Sequence, residues 1–185
     1  SGDHECLEMG KHHRPTYQGV CFMTAIEALT FSLHLSQGIL LGTLSDLNDG
    51  DLSSRPVSGS NRLCWQLGHL ILSERFLLGE TGCSYPELPE GFADQHANNP
   101  EITTSEAPLA WTVADYTRLL KETRETSIAS LGQMNEADLD KPNTGRLAPK
   151  APTYGNLFEL AAQHFIMHSG QVSVIRRKLG KPVLF

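Results

Sequence analysis

The stretch GNLFELAAQHFIMHSGQVSVIRRKL, from Gly155 to Leu179, decides the fold. Leu157, Ala161, Val172, Ile175 and Leu179 recur at helical spacing, which predicts one amphipathic helix with these positions facing inward. Thr153 is placed to cap its start, and Gly180-Lys181-Pro182 stops it with a C′ glycine and a following proline. His164 and His168 stand one turn apart on the same face, so two imidazoles interrupt an apolar stripe. Polar rings removed from water need partners.

Working outward, three more segments carry the same period. Ile26, Leu29, Leu33, Leu40, Leu41 and Leu44 mark a first helix that begins near Met23 and fades at 44–47. Asn48-Asp49-Gly50 reads as a turn and 53–60 as loop, after which Asn61 is placed to cap a second helix over about 62–79. A third helix runs from about Ala110 to Met134, with Trp111, Val113, Tyr116, Leu119, Leu120, Ile128 and Leu131 as its apolar positions. The connections are long. Residues 80–109 contain Pro86, Pro89, Pro100 and Pro108 and read as an irregular crossover or lid, and Asp138 to Pro152 as a further loop. No segment shows sustained strand alternation. The predicted fold is all-α, a four-helix bundle with long second-to-third and third-to-fourth connections. It occupies residues 23–185, with 1–22 an N-terminal tail outside the domain.

Composition narrows the function classes. The chain has 185 residues, enough for one domain with a real core; 39% hydrophobic and 19% charged residues are ordinary for a globular protein. A net charge of −6 offers no basic face for nucleic acid. The densest basic cluster, Arg176-Arg177-Lys178, ends a helix, where cations complement the dipole. No apolar run approaches a membrane span, and the first residues carry no signal-peptide pattern. Cys6, Cys21, Cys64 and Cys83 form no CxxC pair, which reads as reduced thiols in a cytoplasmic protein. Lys11-His12-His13-Arg14 reads as a solvated tail.

A third histidine interrupts an apolar run in the second helix, Trp65-Gln66-Leu67-Gly68-His69-Leu70-Ile71-Leu72. His-x3-His on one helix sets two nitrogens on one side of a metal, and His69 from a facing helix completes a three-nitrogen face with positions left open. Zinc, nickel and iron(II) all accept neutral imidazole. The competing reading is a set of hydrogen-bonded core histidines. Gln171 follows His168 by three and is placed to orient water or substrate. Glu74 and Gln163 are candidate hydrogen-bond partners for a ligand histidine, Glu74 reading more readily as a surface charge. His34 reads as a satisfied bundle histidine, His96 as a solvated loop residue, Cys64 as core, and Trp65 as core or pocket wall. A ferritin-like di-iron centre is excluded because no helix carries Glu-x-x-His, and Glu159 and His164 are five apart. His-Glu-x-x-His, a phosphate-cradling glycine loop and Gly-x-Ser-x-Gly are all absent.

Two motifs carry a resemblance. Trp65-Gln66-Leu67-Gly68-His69-Leu70, preceded by Leu47-x4-Leu52-x3-Pro56, resembles the second-helix signature of the DinB/YfiT-like superfamily. His164-Phe165-Ile166-Met167-His168-Ser169-Gly170-Gln171, followed by Arg176-Arg177-x2-Gly180-x-Pro182, is similar to its fourth-helix signature. The resemblance spans about residues 23–182. It implies a four-helix bundle with a nickel or zinc site on His69, His164 and His168, and a homodimer. It also implies a thiol-dependent small-molecule reaction, as in mycothiol-dependent maleylpyruvate isomerase and bacillithiol S-transferases.

Three functions follow as expectations. The first is metal-dependent S-transfer or isomerisation using a low-molecular-weight thiol. The second is hydrolysis by metal-activated water, with Glu74 or Glu159 as the acid or base. The third is a non-catalytic stress or metal-binding module or a dimeric scaffold, with a metal saturated by the protein or with no metal, and no cavity beside His69.

Overall fold

The computed structural model describes residues 16–17, 20–107 and 110–184. Strands β1 (Thr16–Tyr17) and β2 (Val20–Cys21) form a minimal antiparallel ladder, and every other regular element described is helical. Most of the tail, including Lys11-His12-His13-Arg14 and Cys6, lies outside the described residues.

Short polar residues set the helix starts. The Thr24 hydroxyl accepts from the Glu27 amide while the Glu27 carboxylate accepts from the Thr24 amide, a capping box that opens α1 (Ala25–Leu44). A 3-10 turn (Asp49–Ser53) leads to α2 (Leu63–Gly79), whose N-cap is Arg62 rather than Asn61. The expected irregular stretch after it contains two short helices, α3 (Phe92–Gln95) and α4 (Pro100–Thr104). The third long helix, α5 (Val113–Leu131), is shorter at both ends than its apolar pattern suggested, because Thr112 and Asp115 form a capping box that fixes its start. The short α6 (Glu136–Leu139) occupies part of the following connection. Finally α7 (Tyr154–Lys178) begins at a Thr153–Asn156 box and ends before Gly180, whose φ of 70° is the left-handed conformation a helix stop requires.

The four long helices form the bundle, with α1 and α2 each packed against both α5 and α7. Arg176, near the end of α7, donates to the Thr43 carbonyl near the end of α1, so these two run parallel. Early Gln66 of α2 meets late His168 of α7, whereas later Glu74 lies with Arg124, which reaches the Ala161 carbonyl; α2 and α7 are antiparallel. His96 bonds Tyr116 and lies on Gly68, while Ser127 bonds Glu74, so α2 and α5 are parallel. Two consecutive long helices that run parallel need a connection that travels back along the bundle. That is the physical reason for the long segment between Gly79 and Val113.

Two apolar clusters fill the interior. One gathers Leu40, Leu63, Leu67, Tyr116, Phe165 and Val172; the other gathers Ile26, Leu33, Leu78, Leu131, Leu157 and Phe158. Between them lies a polar layer. Arg124, wholly buried, forks onto Glu74 at 2.8 and 3.1 Å and donates to the Leu33 carbonyl and the Ser36 hydroxyl. Its guanidinium also lies 4.0 Å from the Phe165 ring centroid. His34 was expected inside the bundle but is exposed, because Leu33 takes the inward position. Arg176 does more than complement a helix dipole: it is buried and pairs with Asp46.

Candidate metal centre

His69 projects from α2, and His164 and His168 from α7, into one space. Their ring centroids lie 5.1 Å (His69–His164), 5.5 Å (His69–His168) and 4.8 Å (His164–His168) apart. One nitrogen from each ring lies within 4.8 Å of the other two. Bonds of about 2.0–2.1 Å to a tetrahedral ion bring ligand nitrogens to roughly 3.3 Å apart, so small side-chain rotations close the set. His168 is buried, whereas His69 and His164 are partly exposed, so the group opens on one side to solvent.

The protonation state suits a metal. Burial holds His164 down at about 4 and His168 at about 3, with the neighbouring imidazoles adding to the depression; burial lowers His69 as well. All three are therefore neutral at pH 7, the form that ligates. The His168 tautomer follows from its partner. Gln66 Nε2 donates to the Asn61 carbonyl at 3.0 Å, which fixes the amide with Oε1 toward His168 Nδ1 at 3.2 Å. An amide oxygen only accepts, so Nδ1 carries the proton and Nε2 keeps its lone pair for a metal.

His69 is held differently. The Ser73 hydroxyl is 3.4 Å from both ring nitrogens, too long to select one. Its firm neighbour is the Trp65 indole, stacked on the imidazole at 4.6 Å with planes 10° apart. Trp65 Nε1 donates to the Ala97 carbonyl at 3.2 Å.

Several expected roles change. Glu74 is neither a surface charge nor a histidine partner. Only 1% exposed, it is bound by Arg124 and by Ser127, whose hydroxyl donates at 2.6 Å. Burial pushes its carboxyl above the ordinary range, and Arg124 and Ser127 act in the opposite direction. With both oxygens committed, it is not free to serve as the general base that hydrolysis needs. Gln163 donates to Glu159 on the exposed side of α7. Gln171 is half-buried one turn beyond His168. His96 is not solvated: it is buried, with Nδ1 2.7 Å from the Phe92 carbonyl and Nε2 2.8 Å from the Tyr116 hydroxyl. It lies so close to α2 that a Cβ on Gly68 would stand 2.0 Å from its ring. Cys64 is core, and both it and Cys83 are free thiols. Gln66 is the residue sequence reasoning passed over; its signal was a polar side chain inside an apolar run.

An all-helical bundle with three imidazoles on two facing helices defines a class. The sequence profile of the DinB superfamily matches residues 32–172, and the chain belongs to that superfamily. It is similar in structure to a DinB-like protein from Bacillus cereus, with a TM-score of 0.61 and 18% identity over 87% of this chain and 94% of that one. It is also similar to a conserved protein from Enterococcus faecalis, with a TM-score of 0.58 and 19% identity over 86% of this chain and all of the other. At these identities the likeness shows the fold alone. No curated protein sequence matches the chain. Among the described residues, no helix is long and apolar enough to cross a membrane.

Proposed function

We propose that the chain is a metal-dependent enzyme whose ion is held by His69, His164 and His168, and that its reaction is thiol S-transfer or thiol-assisted isomerisation of a small molecule. One observation carries the reading. Three neutral imidazoles converge, and among the described residues no carboxylate or thiolate joins them as a fourth ligand. A three-ligand set leaves room for an exogenous group, the mark of a reactive site rather than a structural one. Zinc or nickel suits the donor set best, and iron(II) is the further candidate.

A divalent ion held by His69, His164 and His168 would supply Lewis acidity and would favour the thiolate form of a low-molecular-weight thiol. The chain's own residues do the rest. Gln66 keeps His168 in the ligating tautomer, and Trp65 lays an apolar wall against His69. Gln171 is the candidate for orienting the electrophile. The hydrolytic alternative loses one of its two candidate bases, since Glu74 is locked to Arg124; the other, Glu159, accepts from Gln163. Free Cys64 and Cys83 accord with a cytoplasmic setting. A homodimer is part of the proposal: the neighbouring helices α1 and α7 leave Phe31 62%, Leu35 49% and Met167 54% exposed.

The test is a conjugation assay of zinc- or nickel-loaded protein over a panel of thiols and electrophiles, wild type beside His164→Ala. Thiol-dependent turnover lost in the variant supports the reading. No turnover over the whole panel, or ester hydrolysis without any thiol, overturns it.

A further inference from the structure

Ligand histidines are ordinarily oriented by a hydrogen bond to the ring nitrogen that does not bind the metal. His168 has such a bond, to Gln66. His69 has only a long contact that favours neither nitrogen, because the Ser73 hydroxyl stands 3.4 Å from both of them. What restrains the His69 ring is the indole of Trp65, nearly parallel to it and 4.6 Å away. That indole is itself anchored, its N–H ending on the carbonyl of Ala97 in the crossover between α2 and α5.

The anchor is held from both sides. Next to Ala97, His96 reaches Tyr116 on α5 through Nε2 and the Phe92 carbonyl through Nδ1. Its ring occupies the space that the absent side chain of Gly68 leaves on α2. Phe92 and Trp111 pack on that ring at 4.3 and 5.4 Å. The carbonyl that fixes Trp65 therefore belongs to a segment bolted to both α2 and α5.

We propose that Trp65 is the positioning residue for His69: a stacked indole, fixed by the crossover segment, does what the long, unselective Ser73 contact does not and couples the docking of residues 92–97 to the geometry of the metal site. The inference rests on the three-histidine reading and adds to it which chain segment controls one of its ligands.

Cobalt(II) alone is the probe, since its visible absorption reports both occupancy and ligand geometry. Wild type, Trp65→Phe and Trp65→Leu are titrated, with circular dichroism and thermal unfolding confirming the fold of each. Phenylalanine keeps a stacking face and loses the N–H; leucine loses both. Trp65→Leu is expected to bind cobalt about tenfold or more weakly with an altered visible band, and Trp65→Phe to fall between it and wild type. A folded Trp65→Leu with wild-type affinity and an unchanged band overturns the inference and leaves the metal reading standing. If Trp65→Leu does not fold, Trp65→Phe decides: weaker binding supports the inference, and wild-type affinity and spectrum overturn it. No cobalt band in wild type overturns the metal reading and this inference with it.

Discussion

The side chains of Gln66 and His168 meet across 3.2 Å between α2 and α7, and the Asn61 carbonyl dictates which end of the amide faces the imidazole. Two helices that run antiparallel thus fix one ring tautomer between them. Removing the acceptor frees that ring. Gln66→Ala is expected to weaken zinc affinity by roughly 10- to 100-fold with the fold intact, while Gln66→Glu, which still accepts, retains binding. Competition titration against a chromophoric chelator measures both; equal affinity of Gln66→Ala and wild type contradicts the assignment.

The Glu74–Arg124 pair sits at the middle of the bundle, where each charge depends on the other. Glu74→Leu or Arg124→Leu alone strands a buried charge and is expected to cost about 3–5 kcal/mol. The double variant is expected to recover much of that loss, since an apolar pair of similar volume carries no desolvation penalty. Urea unfolding of the two single variants and the double closes the cycle. Additive losses would show that the two side chains do not act as a pair.

Gly68→Ala isolates the packing of the crossover. Alanine is the better helix former by about 1 kcal/mol, yet its Cβ would lie 2.0 Å from the His96 ring. Net destabilisation of about 1–3 kcal/mol is expected from overpacking. In a His96→Ala background the same substitution becomes neutral or stabilising. Chemical denaturation of the four proteins tests this, and an unchanged penalty in that background would place the clash elsewhere.

Acid should unfold the metal-free protein early. His164 and His168 stay neutral in the folded chain down to about 4 and about 3, whereas in the unfolded chain they take up protons below about 6.5. The unfolded state therefore binds more protons, and stability falls as pH drops from about 6.5 toward 4, with no gain from these groups above that range. Between pH 7.5 and pH 5 the metal-free Tm is expected to drop by roughly 5–10 °C. His164→Leu/His168→Leu should lose much of that slope; a full slope in the double variant assigns it to other groups.

The long helices were legible because Ile26, Leu33, Leu40 and Leu44, or Leu157, Ala161, Val172 and Ile175, can face one core only as helices, and all eight are buried. The triad was legible because each member breaks an apolar run. Glu74 was misread as a surface charge, although its place three and four residues from Leu70, Ile71, Leu77 and Leu78 put it on the buried face. Its partner comes from another helix, and pairing at a given depth is set by packing. The burial of His96 was not legible, because the space it fills is created by Gly68 on another helix. His34 stands among leucines of which Leu33 faces in and Leu35 faces out, so its neighbours did not decide its side.

The central claim is that three histidines hold one metal, and elemental mass spectrometry of untagged protein tests it most directly, wild type beside His69→Ala and His164→Ala. About one zinc or nickel per wild-type chain is expected, with most of it lost in both variants and helicity unchanged. A wild type without metal, or variants that keep the full complement, would contradict it and leave a helical bundle with three neutral imidazoles, of which only His168 is buried.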